Sequence, residues 1–191
     1  DDETRTESAL LALDWILGED EVARWVGDIT AASFEPLDPV PAVHLPAVVA
    51  GLAAEHDEPR WVALEGRTPA GGKVTATARF PLRPVDHPLF EQHIMVTLPY
   101  QEADEDGLPT GASLEALDGF ELELAARLPE EVALPVAHMS ADRVRVMHIY
   151  ADPESDAAEL VRQIAKGWEQ GRARVDVAAD PGWLSISHFL S

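Results

Sequence analysis

The chain has 191 residues, 46% of them hydrophobic, which suits one sizeable domain or two small ones and excludes a disordered chain. It has no cysteine, which removes disulfides, thiolate metal sites and cysteine nucleophiles. Its 14 basic residues face 35 acidic ones; a net charge of −21 argues against direct binding to nucleic-acid phosphates and makes a basic partner electrostatically easier, while an acidic, Ala-rich chain with more Arg than Lys also reads as the mark of a GC-rich or salt-adapted genome.

In chain order, ESALLALDWILGED reads as a short helix. Leu10, Leu13, Ile16 and Leu17 cluster with Trp15, and Gly18 is the stop. In EVARWVGDITAAS helix and strand both fit; the expectation is a strand near Val26–Ala32. Pro36, Pro39, Pro41 and Pro46 mark a linker, and AVVAGLAAEHD after Pro46 reads as a helix with proline in its first turn. The stretch KVTATARFPL alternates Val74, Ala76, Ala78 and Phe80 with polar residues. With WVALEGR it predicts a hairpin over 61–82, turning at Gly71–Gly72.

HIMVTLPY predicts a strand with Ile94, Val96 and Leu98 on one face. Ser113 is placed to cap a helix whose apolar stripe is Leu114, Leu117, Phe120, Leu124 and Leu128, with Pro129 as its stop. VALPVAHMS and RVRVMHIYAD predict a second hairpin about Ala141–Asp142. A two-residue turn there puts Leu134, Val136, Met147 and Ile149 on one face and Ala137, Met139, Val144, Val146 and Tyr150 on the other. ESDAAELVRQIAKGWEQG predicts a helix ending at Gly171, and ARVDVAAD a last strand.

The order β-α-β-β-α-β predicts an α+β fold of ferredoxin-like type, with the strands of 92–179 in the spatial order fourth, first, third, second. Both faces of the second hairpin are apolar, so one needs a cover beyond the two helices. Residues 1–82 are the expected cover. The expectation is an N-terminal α/β half over 1–85 and a ferredoxin-like half over 86–191, packed as one compact unit.

Three motifs resemble the bacterial domain of unknown function 695 family. They are PY, GLP and LxxLxxFExxL (Pro99–Tyr100, Gly107–Leu108–Pro109, then Leu114 to Leu124), the strand end HIYAD, and Asp180–Pro181–Gly182–Trp183. WILGED is similar to a loosely shared LGE element. The family carries no established activity. It is similar in architecture to the regulator of ribonuclease activity B family, small acidic proteins that inhibit an RNA-degrading enzyme by binding it. The resemblance therefore implies a regulatory or binding role, by analogy of fold and charge alone.

Residues 101–131 carry one basic and ten acidic groups. They offer a partner-binding surface of Asp104, Glu105, Asp106, Glu115, Asp118 and Glu123. As a calcium loop the segment fails. With Gly107 on the fixed glycine, Glu102, Asp104 and Asp106 take the first ligand positions, but the bidentate acid falls on Ser113. His87, Glu91 and His93 have zinc-ligand chemistry, yet Pro88 intervenes and no catalytic spacing appears. His138 and His148 are expected on opposite faces. SISHFLS lacks a nucleophile elbow and reads as a frayed tail. TPAGGK lacks the phosphate-loop spacing. Trp61 and Trp168 are placed facing the core, and Trp183 packing the C-terminus on the sheet.

No cofactor is expected. The leading reading is a non-enzymatic regulatory or protein-binding module that meets a basic protein, such as a nucleic-acid-processing enzyme, through its acidic surface. The alternatives are a metal-dependent or hydrolytic enzyme with a cleft between the two halves, and an immunity-type protein neutralising a basic toxin. No apolar run reaches membrane-span length, and the acidic N-terminus is unlike a signal peptide. A cytoplasmic protein that binds neither nucleic acid nor membrane is expected.

Overall fold

The computed structural model describes residues 2–30, 32, 34, 37–56 and 59–189. The chain forms two compact units, 1–59 and 60–191. The hairpin expected in the N-terminal half belongs to the second unit, so the division falls at 59/60 rather than 85/86.

The first unit is helical, with α1 (Asp2–Leu17), α2 (Glu19–Trp25) and α3 (Leu45–His56). Gly18, at φ 90°, separates α1 from α2, as its stop signal predicts. The acids Glu19, Asp20 and Glu21 lie in the first turn of α2, where the helix dipole favours them, and Arg24 lies in the last. The expected strand near Val26–Ala32 is absent: residues 26–30 have no regular structure, and Ala31 lies outside the described residues. Val26, Gly27 and Ile29 follow a helix end, and among the described residues no strand pairs with them. Pro36 of the linker and Asp57, the expected last residue of the third helix, also lie outside the described residues.

The second unit is an α+β fold. Its strands are β1 (Arg60–Arg67), β2 (Lys73–Phe80), β3 (Gln92–Pro99), β4 (Ala133–Ala141), β5 (Val144–Ala151) and β6 (Arg174–Ala179). Its helices are α4 (Gly111–Arg127) and α5 (Ala157–Ala165), followed by a 3-10 helix, Leu184–Phe189. All strands join one antiparallel sheet in the order β1-β2-β4-β5-β3-β6. The last four strands in sequence thus take the expected spatial order, fourth, first, third, second. The first hairpin widens this sheet through β2, where Ala78 pairs with Ala137 and Thr75 with Ser140.

One face of the sheet carries α4 and α5. Leu117, Phe120 and Leu124 of α4 and Val161 and Ile164 of α5 pack on Ile94, Val96, Leu98, Met147 and Ile149. The other face carries a second cluster in which Leu134, Val136 and Tyr150 meet Trp183, Ile186 and Phe189. The cover expected from residues 1–82 is here supplied by the segment after β6. SISHFLS is therefore not a frayed tail. Ile186 and Phe189 are buried three residues apart on a 3-10 turn, the spacing at which side chains eclipse; Leu190 and Ser191 lie outside the described residues.

The β4–β5 turn falls one residue later than predicted. Ala141 pairs with Val144, and Asp142 and Arg143 take φ 48° and 63°, the left-handed pair of a type I′ turn. Asp tolerates that region, and the turn's twist matches the strands. The register also shifts between Pro135 and Ala137. Proline cannot donate to the ladder, and a bulge accommodates it. The net result puts Leu134 and Val136 with Tyr150, not with Met147 and Ile149.

The cover is held by a lock at its start. Asp180 accepts the Tyr150 hydroxyl at 2.6 Å and the N–H groups of Leu184 and Ser185 at 2.9 Å each. Trp183 stacks on Tyr150 with ring centroids 4.2 Å apart and donates its indole N–H to the Phe90 carbonyl at 2.9 Å. Burial alone would raise the Asp180 carboxyl; the Tyr150 hydroxyl and the Ser185 and Leu184 N–H groups outweigh it and hold it at about 2. Trp183 is 1% exposed and the next residue, Leu184, 75%. Trp183→Ala is expected to cost ~3–5 kcal/mol in urea unfolding, and Leu184→Ala no more than ~0.5 kcal/mol. Equal losses would refute the lock.

Candidate functional site

The sheet is wider than its helix layer. One cross-strand row runs Val175 (β6), Val96 (β3), Met147 (β5), His138 (β4), Thr77 (β2) and Ala63 (β1), each paired with the next. Cross-strand neighbours share a face. Val96 and Met147 are buried under the helices, His138 and Thr77 are half-buried, and Ala63 is exposed. The uncovered strands form a shelf beside α4.

Between α4 and this shelf lies a groove with a volume of about 460 Å³, in the range of ligand-binding clefts. Trp61 and Leu122 supply its outer walls, and Leu124, Pro135, Ala137 and Met147 its floor. Trp61 is 53% exposed, where the sequence predicts a core-facing side chain. Its alternation is right, but β1 is an edge strand beyond the reach of α4. Leu122 is 72% exposed, four residues on from Asp118 and so on the same side of the helix. Leu114, assigned to the buried stripe, is also 41% exposed on this side.

The groove's polar end is a closed set. The Arg145 guanidinium binds Glu121 Oε1, and its Nε donates to Ser140 Oγ at 3.0 Å. His138 Nδ1 lies 3.2 Å from the same Glu121 oxygen. Burial raises the Glu121 carboxyl; Arg145 opposes this and the neighbouring Asp118 adds to it. Burial, with the Arg145 charge, pushes His138 down to about 4, so the ring is neutral near pH 7. This cluster escaped the sequence reading. Its signal is Arg145 within RVRVMHIY, a charge that must face a partly buried sheet surface and so demands a carboxylate.

The six acids proposed as a partner surface are all exposed, but they do not form one patch. Asp118 lines the groove, and Glu115 lies about one turn before it on α4. Glu123 points away from the groove and pairs with Arg127 at 2.8 Å. Asp104, Glu105 and Asp106 sit in the loop before α4. Asp104 has a structural task there: Oδ1 accepts the N–H groups of Asp106 at 3.0 Å and Leu108 at 2.8 Å. The Tyr100 hydroxyl donates to the Gly107 carbonyl at 2.8 Å, tying the loop to β3.

The start of α4 also differs from prediction. Thr110, not Ser113, is the N-cap residue, and Ser113 is buried inside the first turn, accepting the Glu102 N–H at 2.8 Å. The Glu102 carboxylate accepts the N–H of Ala112 at 3.1 Å, a cap delivered from the preceding loop. The carboxylate lies so close that a Cβ on Gly111 would fall 2.2 Å from Glu102 Oε2.

The zinc-type histidines separate. His87 stacks on Phe90, 5.1 Å between centroids. His93 instead meets His148, Nε2 to Nδ1 at 3.0 Å, and both rings lie on the face opposite His138, as expected for 138 and 148. Among the described residues no three His, Asp or Glu side chains are disposed to share a metal ion. His148 Nε2 is buried and has no hydrogen-bond partner, with Phe189 and His188 ring edges beside it. Burial, then the charges of His93 and His188, push His148 down to about 4.

The family model described as a family of unknown function (DUF695) matches residues 78–191, more than half of the chain, and the protein belongs to that family. Neither a curated protein nor a solved structure matches it. No helix among the described residues is long and apolar enough to cross a membrane.

Two outcomes follow from this geometry. Asp104→Ala is expected to cost about 1 kcal/mol through its lost turn bonds, and Asp106→Ala less than about 0.5 kcal/mol, by urea unfolding. For pH, the folded values of His138 and His148, about 4, lie below the ordinary 6.5. The unfolded chain then binds more protons between those limits, so stability is intact above about pH 6.5 and falls as the pH drops towards 4. Each histidine contributes a slope of up to roughly 1.4 kcal/mol per pH unit. His148→Gln should flatten the curve of unfolding midpoint against pH; an unaltered slope would show that His148 does not carry it.

Proposed function

We propose that this member of a family without an assigned activity is a non-enzymatic binding module, and that it holds a segment of another protein in the groove beside α4. The observation that carries the reading is the pair of large exposed apolar side chains, Trp61 and Leu122, on opposite walls of one groove. Tryptophan is enriched among interaction hot spots, and Leu122 gives Trp61 an apolar surface opposite it in the same groove. The groove's ionisable groups favour binding over chemistry. Glu121 is engaged by Arg145 and His138, and a histidine titrating near 4 is a weak general base at neutral pH. The loop acids Glu105 and Asp106, exposed ahead of α4, suit the steering of a basic partner towards the groove.

The test is selection of random displayed peptides on the immobilised protein, followed by measurement of the selected sequences on Trp61→Ala and Leu122→Ala. Each variant is expected to weaken binding by at least about tenfold, that is about 1.4 kcal/mol. Binders indifferent to both substitutions would place recognition elsewhere and sink the reading.

A further inference from the structure

We infer that the segment taken by the groove is cationic: it presents an aliphatic or aromatic anchor between Trp61 and Leu122 and a lysine or arginine beside Asp118. The inference rests on the binding reading above and names the partner's chemistry.

It follows from a count of which charges around the groove are already answered. Arg145 is committed to Glu121 and Ser140. Arg79, which pairs with Trp61 across the first hairpin, lies 3.5 Å from Glu130. Lys73, at the far end of the shelf, lies 3.7 Å from Glu65. His138 is neutral near pH 7. On the opposing wall, Asp118 lines the groove with no cationic partner among the described residues, and Glu115, also without one, lies about one turn before it on α4. Asp118 also stands close enough to Glu121 to raise its carboxyl. Two carboxylates thus share the lip with a single guanidinium. The surplus charge at the groove is negative, and it borders an apolar surface that lowers the local dielectric.

An incoming ammonium or guanidinium would relieve the Asp118–Glu121 repulsion. Its aliphatic stem would lie along Leu122 and Trp61, and the indole face adds a cation–π contact. A carboxylate in the same place would meet Asp118, while Arg145, Arg79 and Lys73 are already paired with carboxylates of the chain. Charge therefore selects the occupant and the apolar walls hold it.

The experiment uses three synthetic amphipathic peptides with the same leucine positions and with lysine, glutamine or glutamate at the rest. Trp61 is followed through its indole N–H in the ¹⁵N-labelled full chain, and dissociation constants are measured in about 0.01 M and about 1 M salt, where the Debye length is ~30 Å and ~3 Å. The lysine peptide is expected to shift the Trp61 indole and to bind at least about tenfold tighter than the glutamate peptide at low salt. Asp118→Asn should reduce that preference several-fold, whereas Glu154→Gln, exposed in the turn between β5 and α5, should leave the ratio unchanged. If the glutamine or glutamate peptide binds the groove as tightly as the lysine peptide, the charge inference is overturned and the binding reading stands. If the preference survives Asp118→Asn undiminished, it belongs to the net charge of the chain and the inference is again overturned. If no peptide moves the Trp61 indole, the groove reading falls, and the inference with it.

Discussion

The second unit is organised by one constraint: strand β5 has no face that tolerates water. Met147 and Ile149 point to one side and Tyr150 to the other, all buried. A two-layer α+β sheet satisfies only one side. The helices α4 and α5 answer the first set, and the segment Asp180–Phe189 folds back to answer the second. Apolar burial at roughly 25 cal/mol per Å² makes both covers obligatory. The helix layer is used up on the four strands that need it. The first hairpin then joins a sheet with no helix left to shield it, and the groove is the step between covered and uncovered strands.

The residues that carry the family resemblance belong to this scaffold. Tyr100 and Gly107 tie the loop to β3. Tyr150, Asp180 and Trp183 lock the second cover. None of these motifs spells out a reaction: each places a backbone segment. The matched region starts at Ala78, inside β2, so the α4 wall and the floor of the groove fall within it, and Trp61 lies before it. The apolar clamp joins an element of the family with one contributed by the chain ahead of it.

Much of this architecture was legible in periodicity. The strands of 92–179, both helices and their stops at Pro129 and Gly171 follow from alternation, apolar stripes and breakers, and so does the strand order. The failures have specific causes. The turn at Asp142–Arg143 was missed because two non-glycine residues adopt positive φ, which composition does not announce. The bulge at Val136 then reversed the assigned faces upstream. Trp61 was assigned to the core because alternation gives a side, not what lies on that side. The site was less legible. Of the acids in 101–131, Asp118 and Glu121 line the groove, while Glu102 and Asp104 serve the backbone. The Glu121–His138–Arg145 set joins Glu121 to positions 17 and 24 residues later through tertiary packing that no local spacing encodes.

The second cover also follows every strand in chain order. Synthesis proceeds from the N-terminus, so the whole sheet can pair and the helices can dock while Leu134, Val136 and Tyr150 still face solvent. A chain in which Asp180 to Phe189 has not yet docked carries a finished ladder with a bare apolar back, the kind of transient surface on which partly folded proteins aggregate or are held by chaperones. Release from that state waits on ten residues, Asp180 to Phe189. Within them the order is again favourable: Asp180 and Trp183 emerge first and engage Tyr150, and Ile186 and Phe189 then close over a surface whose register is already set.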